Sequence, residues 1–167
     1  MADLRLENVN KFYGTDVHAV IDASFYCDDK AFLAILGPSG CGKSSTLRMI
    51  AGLEEVSSGN IYIGKRNVTT LHPNKRNIGL AFENYALYPH LSVYENIVFP
   101  LRVRGYTNEQ LKTMSLLNEL VATFHLEDII NDYPKKLSGG QAQLVSLVRC
   151  LVKDVDLYLL DEPLSHL

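Results

Sequence analysis

The sequence predicts an α/β fold with a helical subdomain inserted into it, and three observations carry that prediction. Residues 3–13 and 17–27 alternate apolar and polar side chains, through Leu4 and Leu6 and then Val20, Ala23 and Phe25, as antiparallel strands do. Two short runs, "AFLAIL" (31–36) and "LYLL" (157–160), are wholly apolar, the pattern of strands buried on both faces. Between them, from 92 to 152, the character turns helical.

Each element has its own local reason. The strand over 31–36 is followed by a glycine-rich turn and a helix over about 43–51. "GNIYIG" (59–64) reads as a short hairpin strand and "NIGLAF" (77–82) as another buried strand. Ser92 with Glu95, and Thr107 with Gln110, are capping-box pairs that start helices. Leu111, Met114, Leu117, Leu120, Val121 and Phe124 then recur at helical spacing, and 157–160 returns to strand. Strands, a helical block and a strand again make an α/β core of about 1–82 and 153–167, with a helical subdomain of about 83–152.

Composition bounds the function. The chain has 167 residues, 47% of them hydrophobic and 21% charged, enough for one domain with a core. A net charge of −3 supplies no basic field, which disfavours nucleic acid as a partner. The N-terminus lacks the basic-then-apolar pattern of a signal peptide, and no apolar run approaches the roughly 18 residues of a membrane span. Cys27, Cys41 and Cys150 are odd in number, widely spaced and without metal-ligand spacing, which fits a reducing compartment. Cys27 and Cys150 read as small core residues.

Two stretches carry chemistry. "GPSGCGKS", comprising Gly37, Pro38, Ser39, Gly40, Cys41, Gly42, Lys43 and Ser44, fits the phosphate-binding pattern G-x-x-x-x-G-K-[ST] between a predicted strand and a predicted helix. Glycines let backbone N–H groups turn in around phosphate oxygens, and the helix N-terminus adds positive potential. Lys43 then reaches the β- and γ-phosphates, and the Ser44 hydroxyl ligates Mg²⁺. A chance match in a chain of this length is on the order of one in a hundred before context is counted. In "LSGGQ" (137–141), Ser138 and Gln141 form a third capping box. Capping alone explains those two residues. Gly139 and Gly140 go further, removing side chains where a cap needs no clearance and leaving a helix N-terminus able to receive an anion.

The P-loop, then "FENYALYPHLSVYENI", then "LSGGQ", then "LYLLDEP", in this order and over essentially the whole chain, resemble the nucleotide-binding domain of ABC transporters. The stretch "YALYPHLSVYENIVFPLRVRG" is most similar to the ATPase subunits of bacterial sugar importers of the maltose and glycerol-3-phosphate type; polyamine and iron importer subunits carry similar text. The resemblance implies a P-loop NTPase (RecA-like) core with an N-terminal antiparallel β-subdomain and an inserted helical subdomain. It implies ATP and Mg²⁺ as ligands and ATP hydrolysis coupled to transport. Tyr13 corresponds to the aromatic that stacks on adenine, and Ser45 to a threonine that closes the phosphate motif. Asp161 corresponds to the carboxylate that holds Mg²⁺ through water, and Glu162 to the general base that polarises the attacking water. Two such domains pair head to tail, so that Ser138, Gly139, Gly140 and Gln141 of one complete the P-loop site of the other. Segment 84–90, "NYALYPH", corresponds to the docking site for the transmembrane permease subunits, which implies a peripheral place on the cytoplasmic face of the cell membrane.

The chain also departs from that family. Glu83 stands where the family has a glutamine that links Mg²⁺ and the lytic water to the membrane partner. Ala142 and Leu144 replace arginines. The family continues past residue 167 with a D-loop aspartate, two further strands and a histidine that senses the γ-phosphate, so the fold is expected to be incomplete at its C-terminus. A catalytically impaired nucleotide-binding fragment or degenerate paralogue is therefore the alternative reading. At about 5 Å and an effective dielectric near 20, the repulsion between the Glu83 carboxylate and a γ-phosphate is roughly 3 kcal/mol, comparable to its attraction to the metal. In a chain extended through the further strands, Glu83→Gln is expected to raise ATP turnover about tenfold, measured by phosphate release. A fall in turnover would mean that the glutamate has become a working ligand.

Overall fold

A computed structural model describes residues 1–14, 16–82 and 84–163. The Glu83 assignment therefore lies outside the described residues, as does everything expected of 164–167. The chain divides into two compact units, one of Met1–Ile78 with Val155–Leu159 and one of Gly79–Asp154 with Leu160–Leu167.

The first unit is built on β1 (Leu4–Tyr13), β2 (Val17–Cys27), β3 (Ser58–Ile63) and β4 (Arg66–Asn67), in the sheet order β2-β1-β3-β4. All neighbours run antiparallel, as the alternating patterns predict. Strand β1 is shared: Leu4 lies opposite Cys27 on one side and Ile63 on the other, and Leu6 opposite Phe25 and Ile61. Period-two alternation then puts Leu4, Leu6, Ile61 and Ile63 in the core, each no more than 4% exposed. The β1–β2 register shifts near Asn8 and Asp22, both left-handed at φ 47 and φ 43. Asn10 bridges the irregularity, donating to the Asn8 carbonyl at 2.9 Å and to Asp22 Oδ1 at 2.8 Å. Helix α1 (Lys43–Ala51) contributes buried Met49, Ile50 and Ala51.

One expectation fails. Residues 31–36 form no strand: every one is exposed, with Phe32 at 87% and Leu36 at 88%. A strand buried on both faces owes its shape to hydrogen-bonded neighbours on each side. Among the described residues none pairs with 31–36, so apolarity alone leaves it as coil. The strands expected at 77–82 and 157–160 do form, as β5 (Ile78–Ala81) and β6 (Leu157–Leu160), in a two-stranded sheet of their own. Burial in β6 is complete only at Leu159. Cys150 is a core residue as expected, whereas Cys27 is only half-buried.

The second unit holds α2 (Val93–Val103), α3 (Asn108–Thr113), α4 (Ser115–Thr123) and α5 (Gly139–Leu151). All three capping boxes predicted from sequence are formed: Ser92 with Glu95, Thr107 with Gln110, Ser138 with Gln141. The core gathers Val93, Ile97, Val98 and Leu101 of α2 with Leu111, Leu117, Leu126, Val145, Val148 and Val152. The apolar rhythm from Leu111 to Phe124 is not one helix. It breaks at Met114, whose ψ of 103 is extended, after Thr113 turns its hydroxyl back to the Glu109 and Gln110 carbonyls.

Arg76 locks the first unit. It is 2% exposed, and its guanidinium donates to the carbonyls of Leu71 (2.8 Å), Met49 (2.8 Å), Ile50 (2.9 Å) and Thr69 (3.0 Å). Two of these belong to the last turn of α1, where carbonyls lack helical partners and a cation is favoured. Gly52 makes the room. Its φ of 77 is left-handed, and a Cβ there would meet Arg76 Nε at 2.5 Å. Arg76→Met, similar in length but without donors, is expected to lower stability by about 3 kcal/mol in urea unfolding, because it takes the donor from the Ile50, Leu71 and Thr69 carbonyls and leaves Met49 only the Gly52 N–H. Arg76→Lys recovers only part of that, having one donor centre instead of a fork.

Candidate functional site

Gly37 to Ser44 curl over the start of α1. Gly42 is the N-cap residue, left-handed at φ 93, and no side chain caps the helix. Only glycine fits there, since a Cβ would lie 2.3 Å from the Ala19 carbonyl oxygen of β2. The first turn of α1 carries no acidic residue, so no carboxylate of its own offsets the positive end of the helix. Lys43 folds back over the loop, donating to the carbonyls of Gly37 at 2.9 Å and Pro38 at 3.0 Å. The Thr46 hydroxyl donates to the Gly42 carbonyl at 2.9 Å and seals the turn from inside. Such a loop presents backbone donors and one ammonium to an anion.

Tyr13 closes the same unit at the end of β1. Its hydroxyl lies 3.1 Å from Ser45 Oγ in the first turn of α1 and hydrogen-bonds the Glu54 carboxylate. The structure thus joins Tyr13 to the P-loop helix, two features the sequence placed 32 residues apart.

In the second unit, Ser138 caps α5 with its hydroxyl on the Gln141 N–H at 3.2 Å, while Gln141 Oε1 accepts from the Ser138 N–H at 2.9 Å. Gly139 packs near the Tyr85 hydroxyl, 3.4 Å from where a Cβ would stand. Asp161, 8% exposed, follows β6 and donates its N–H to the Ala81 carbonyl at 3.0 Å. Glu162 is exposed and left-handed at φ 46, an uncommon state for a non-glycine residue and one often found at functional sites.

Sequence reasoning missed the residues that hold these groups. Gln143, 4% exposed, donates from Nε2 to the Glu162 carbonyl at 3.0 Å, fixing the turn that aims the carboxylate. Arg149 donates to the carbonyls of Tyr85 (2.7 Å) and Ala86 (2.8 Å), and burial pushes its pKa below the usual arginine range. Asn96, fully buried, accepts from the Tyr88 N–H at 2.8 Å and donates to the Tyr88 carbonyl at 3.1 Å. Segment 84–90 is therefore held by side chains from α2 and α5. The available signal was polarity out of place: Asn96 and Gln143 interrupt otherwise apolar helix faces.

Residues 20–165 match the family profile described as ABC transporter. The chain is 47% identical, over all of its length and 45% of the relative's, to the oligosaccharides import ATP-binding protein MsmX of Bacillus subtilis (strain 168). It is 46% identical to the maltose/maltodextrin import ATP-binding protein MalK of Mannheimia succiniciproducens, over all of its length and 44% of the relative's. Against the sn-glycerol-3-phosphate import ATP-binding protein UgpC of Cupriavidus pinatubonensis the identity is 42%, over all of this chain and 45% of that one. The chain thus spans somewhat less than half the length of these relatives. The dimeric structure of MJ0796, a bacterial ABC transporter cassette, shares the fold at a TM-score of 0.86 and 30% identity, covering 98% of this chain and 75% of that one. A post-hydrolysis state of the MJ0796 cassette bound to ADP and Pi gives 0.87 and 31% over the same shares.

The thiols report the geometry. Cys41 is exposed in the P-loop, whereas burial pushes the Cys150 thiol up to about 11. At pH 8 iodoacetamide is expected to alkylate native Cys41 within minutes and to leave Cys150 unmodified until denaturant is added, read by peptide mass spectrometry.

Proposed function

The chain belongs to the ABC transporter family, and we propose that it is the ATP-binding and ATP-hydrolysing part of a subunit that energises a solute importer. The observation that carries this reading is the uncapped N-terminus of α1 under a glycine loop with Lys43 folded across it. A triphosphate is the ligand such a loop suits: backbone amides meet the phosphate oxygens, and Lys43 exchanges two carbonyls for the terminal phosphates. Tyr13, 41% exposed beside the first turn of α1, supplies a ring for the base.

Mg²⁺ fits the donor set. It prefers oxygen ligands and keeps several waters. The Ser44 hydroxyl and the buried Asp161 carboxylate are oxygen donors, and among the described residues no group of three or more His, Cys, Asp and Glu gathers. By this proposal Ser44 and Asp161 would each contribute an oxygen toward the metal, with water and the nucleotide's own phosphates supplying the rest, and the metal would neutralise phosphate charge. Glu162 is the residue to accept the proton of the attacking water; the Gln143 hydrogen bond to its carbonyl holds the turn from which that carboxylate projects. Glu83 is proposed as a further group at the metal and the water.

The relatives' names support an importer of sugars or of a related small solute such as glycerol 3-phosphate. We place the membrane partners' contact at 84–90, where Arg149 and Asn96 give the loop a fixed shape to present. A second copy completes the site head to tail, its Ser138–Gly140 segment offering the amides of α5 to the γ-phosphate. Contacts of this kind support a peripheral position on the cytoplasmic face of the membrane. Among the described residues no helix is long and apolar enough to cross it.

The test has two arms. Calorimetry is expected to show Mg²⁺-dependent ATP binding that Lys43→Ala abolishes, and equal affinity in the two proteins would remove the assignment. Glu162→Gln is expected to lower phosphate release by about 10²–10³ while ATP binding survives. A parent chain that binds ATP yet releases phosphate no faster than that variant is a nucleotide-binding module without turnover.

A further inference from the structure

The groups around Tyr13 form a connected set that phosphate binding does not require. The ring stands at the end of β1 with the Lys11 ammonium 5.0 Å from its centroid. Lys11 and Tyr13 are two residues apart in the strand and so project from the same face. The ammonium is itself tied down, donating to the Glu55 carbonyl at 2.8 Å. A fixed cation over one face of an aromatic ring leaves the opposite face for stacking.

The far end of the ring is held more firmly. Glu54 is an acceptor only, so the Tyr13 hydroxyl donates to its carboxylate and accepts from Ser45 Oγ at 3.1 Å. Burial and the Glu54 carboxylate both raise the Tyr13 pKa, which keeps the hydroxyl a donor across the physiological range. Glu54 is anchored in turn. Its N–H donates to the Arg48 carbonyl at 3.3 Å, and Arg48 Nη1 lies 3.6 Å from its carboxylate, whose side chain is 19% exposed. Ser45, Arg48 and the Gly52 turn before Glu54 all belong to α1 or its immediate end. The tyrosine ring is therefore bolted to the helix whose other amides face the phosphates.

We propose that Glu54 is a positioning residue for the nucleotide's base: through the Tyr13 hydroxyl it holds the ring in place beside the P-loop, with Lys11 closing the ring's other face. The proposal rests on the reading of Tyr13 as the base platform. A ring free to rotate about its two side-chain torsions loses stacking when the base arrives; a ring held at its hydroxyl does not. Glu54 lies outside the glycine loop and meets Tyr13 and Arg48, so its influence is expected on the part of the ligand that stacks.

The discriminating probe is a ligand without a base. ATP and inorganic tripolyphosphate are titrated, each with Mg²⁺, into the 167-residue chain and into Glu54→Leu, Glu54→Gln, Tyr13→Phe and Tyr13→Ala. Glu54→Leu is expected to weaken ATP roughly three- to tenfold and to leave tripolyphosphate unchanged, in line with the strength of base–aromatic stacking. Tyr13→Phe, which keeps the ring but loses the anchor, is expected to match it. Glu54→Gln, which retains an acceptor oxygen, recovers part of the loss. The double variant Tyr13→Phe with Glu54→Leu is expected to be no worse than either single one. If Glu54→Leu and Tyr13→Phe weaken both ligands equally, or neither, Glu54 is an ordinary structural residue and the proposal is overturned. If Tyr13→Ala leaves ATP affinity intact, the base-platform reading itself falls. If Tyr13→Ala is selective for ATP and the other variants are not, only the role of Glu54 falls.

Discussion

Helix α1 starts at Gly42 with its amides uncapped and ends under the guanidinium of Arg76. A helix must satisfy four N–H groups at one end and four carbonyls at the other, and most helices use local side chains for both. Here no side chain caps the N-terminal end, and at the C-terminal end the Met49 and Ile50 carbonyls accept from a residue of a distant loop. That division of labour positions Lys43, Ser44 and Ser45 together, because all three ride the first turn of a helix whose far end cannot drift. It also explains why a charge is buried without a carboxylate partner. Four carbonyl dipoles surround Arg76 where an acidic residue would cancel its pull on the helix end.

The second unit solves a different problem, holding irregular backbone next to a packed helical core. Residues 84–90 and 161–162 form neither helix nor strand, and Tyr85, Ala86 and Glu162 are all left-handed. Long polar side chains from the helices reach out to them: Arg149 to Tyr85 and Ala86, Asn96 to Tyr88, Gln143 to Glu162. Each of these hydrogen bonds ends on a backbone atom, and Arg149 also lies over the Tyr88 ring, 5.7 Å from its centroid.

The proposed phosphate site and the proposed base platform are likewise one piece. Tyr13 joins α1 through Ser45 and Glu54, so a nucleotide meeting the ring and the P-loop touches the same rigid body at two points. Preorganisation of that kind lowers the ordering that binding must do.

What the sequence determined by itself was whatever depends on near neighbours. Capping boxes, the glycine loop, the alternation of β1 and β2 and the acidic pair after an apolar run each act within a few residues of chain, and each stands where the pattern put it. The tertiary structure decided the rest. It left 31–36 as coil, because a doubly buried strand needs neighbours that no run of apolar residues can supply for itself. And it selected Arg76, Gln143, Arg149 and Glu54 for partners that are 26, 19, 63 and 41 residues away in the chain. Three of those four reach backbone carbonyls, which look alike at every position of a sequence until the fold brings particular ones within 3 Å or so of a donor.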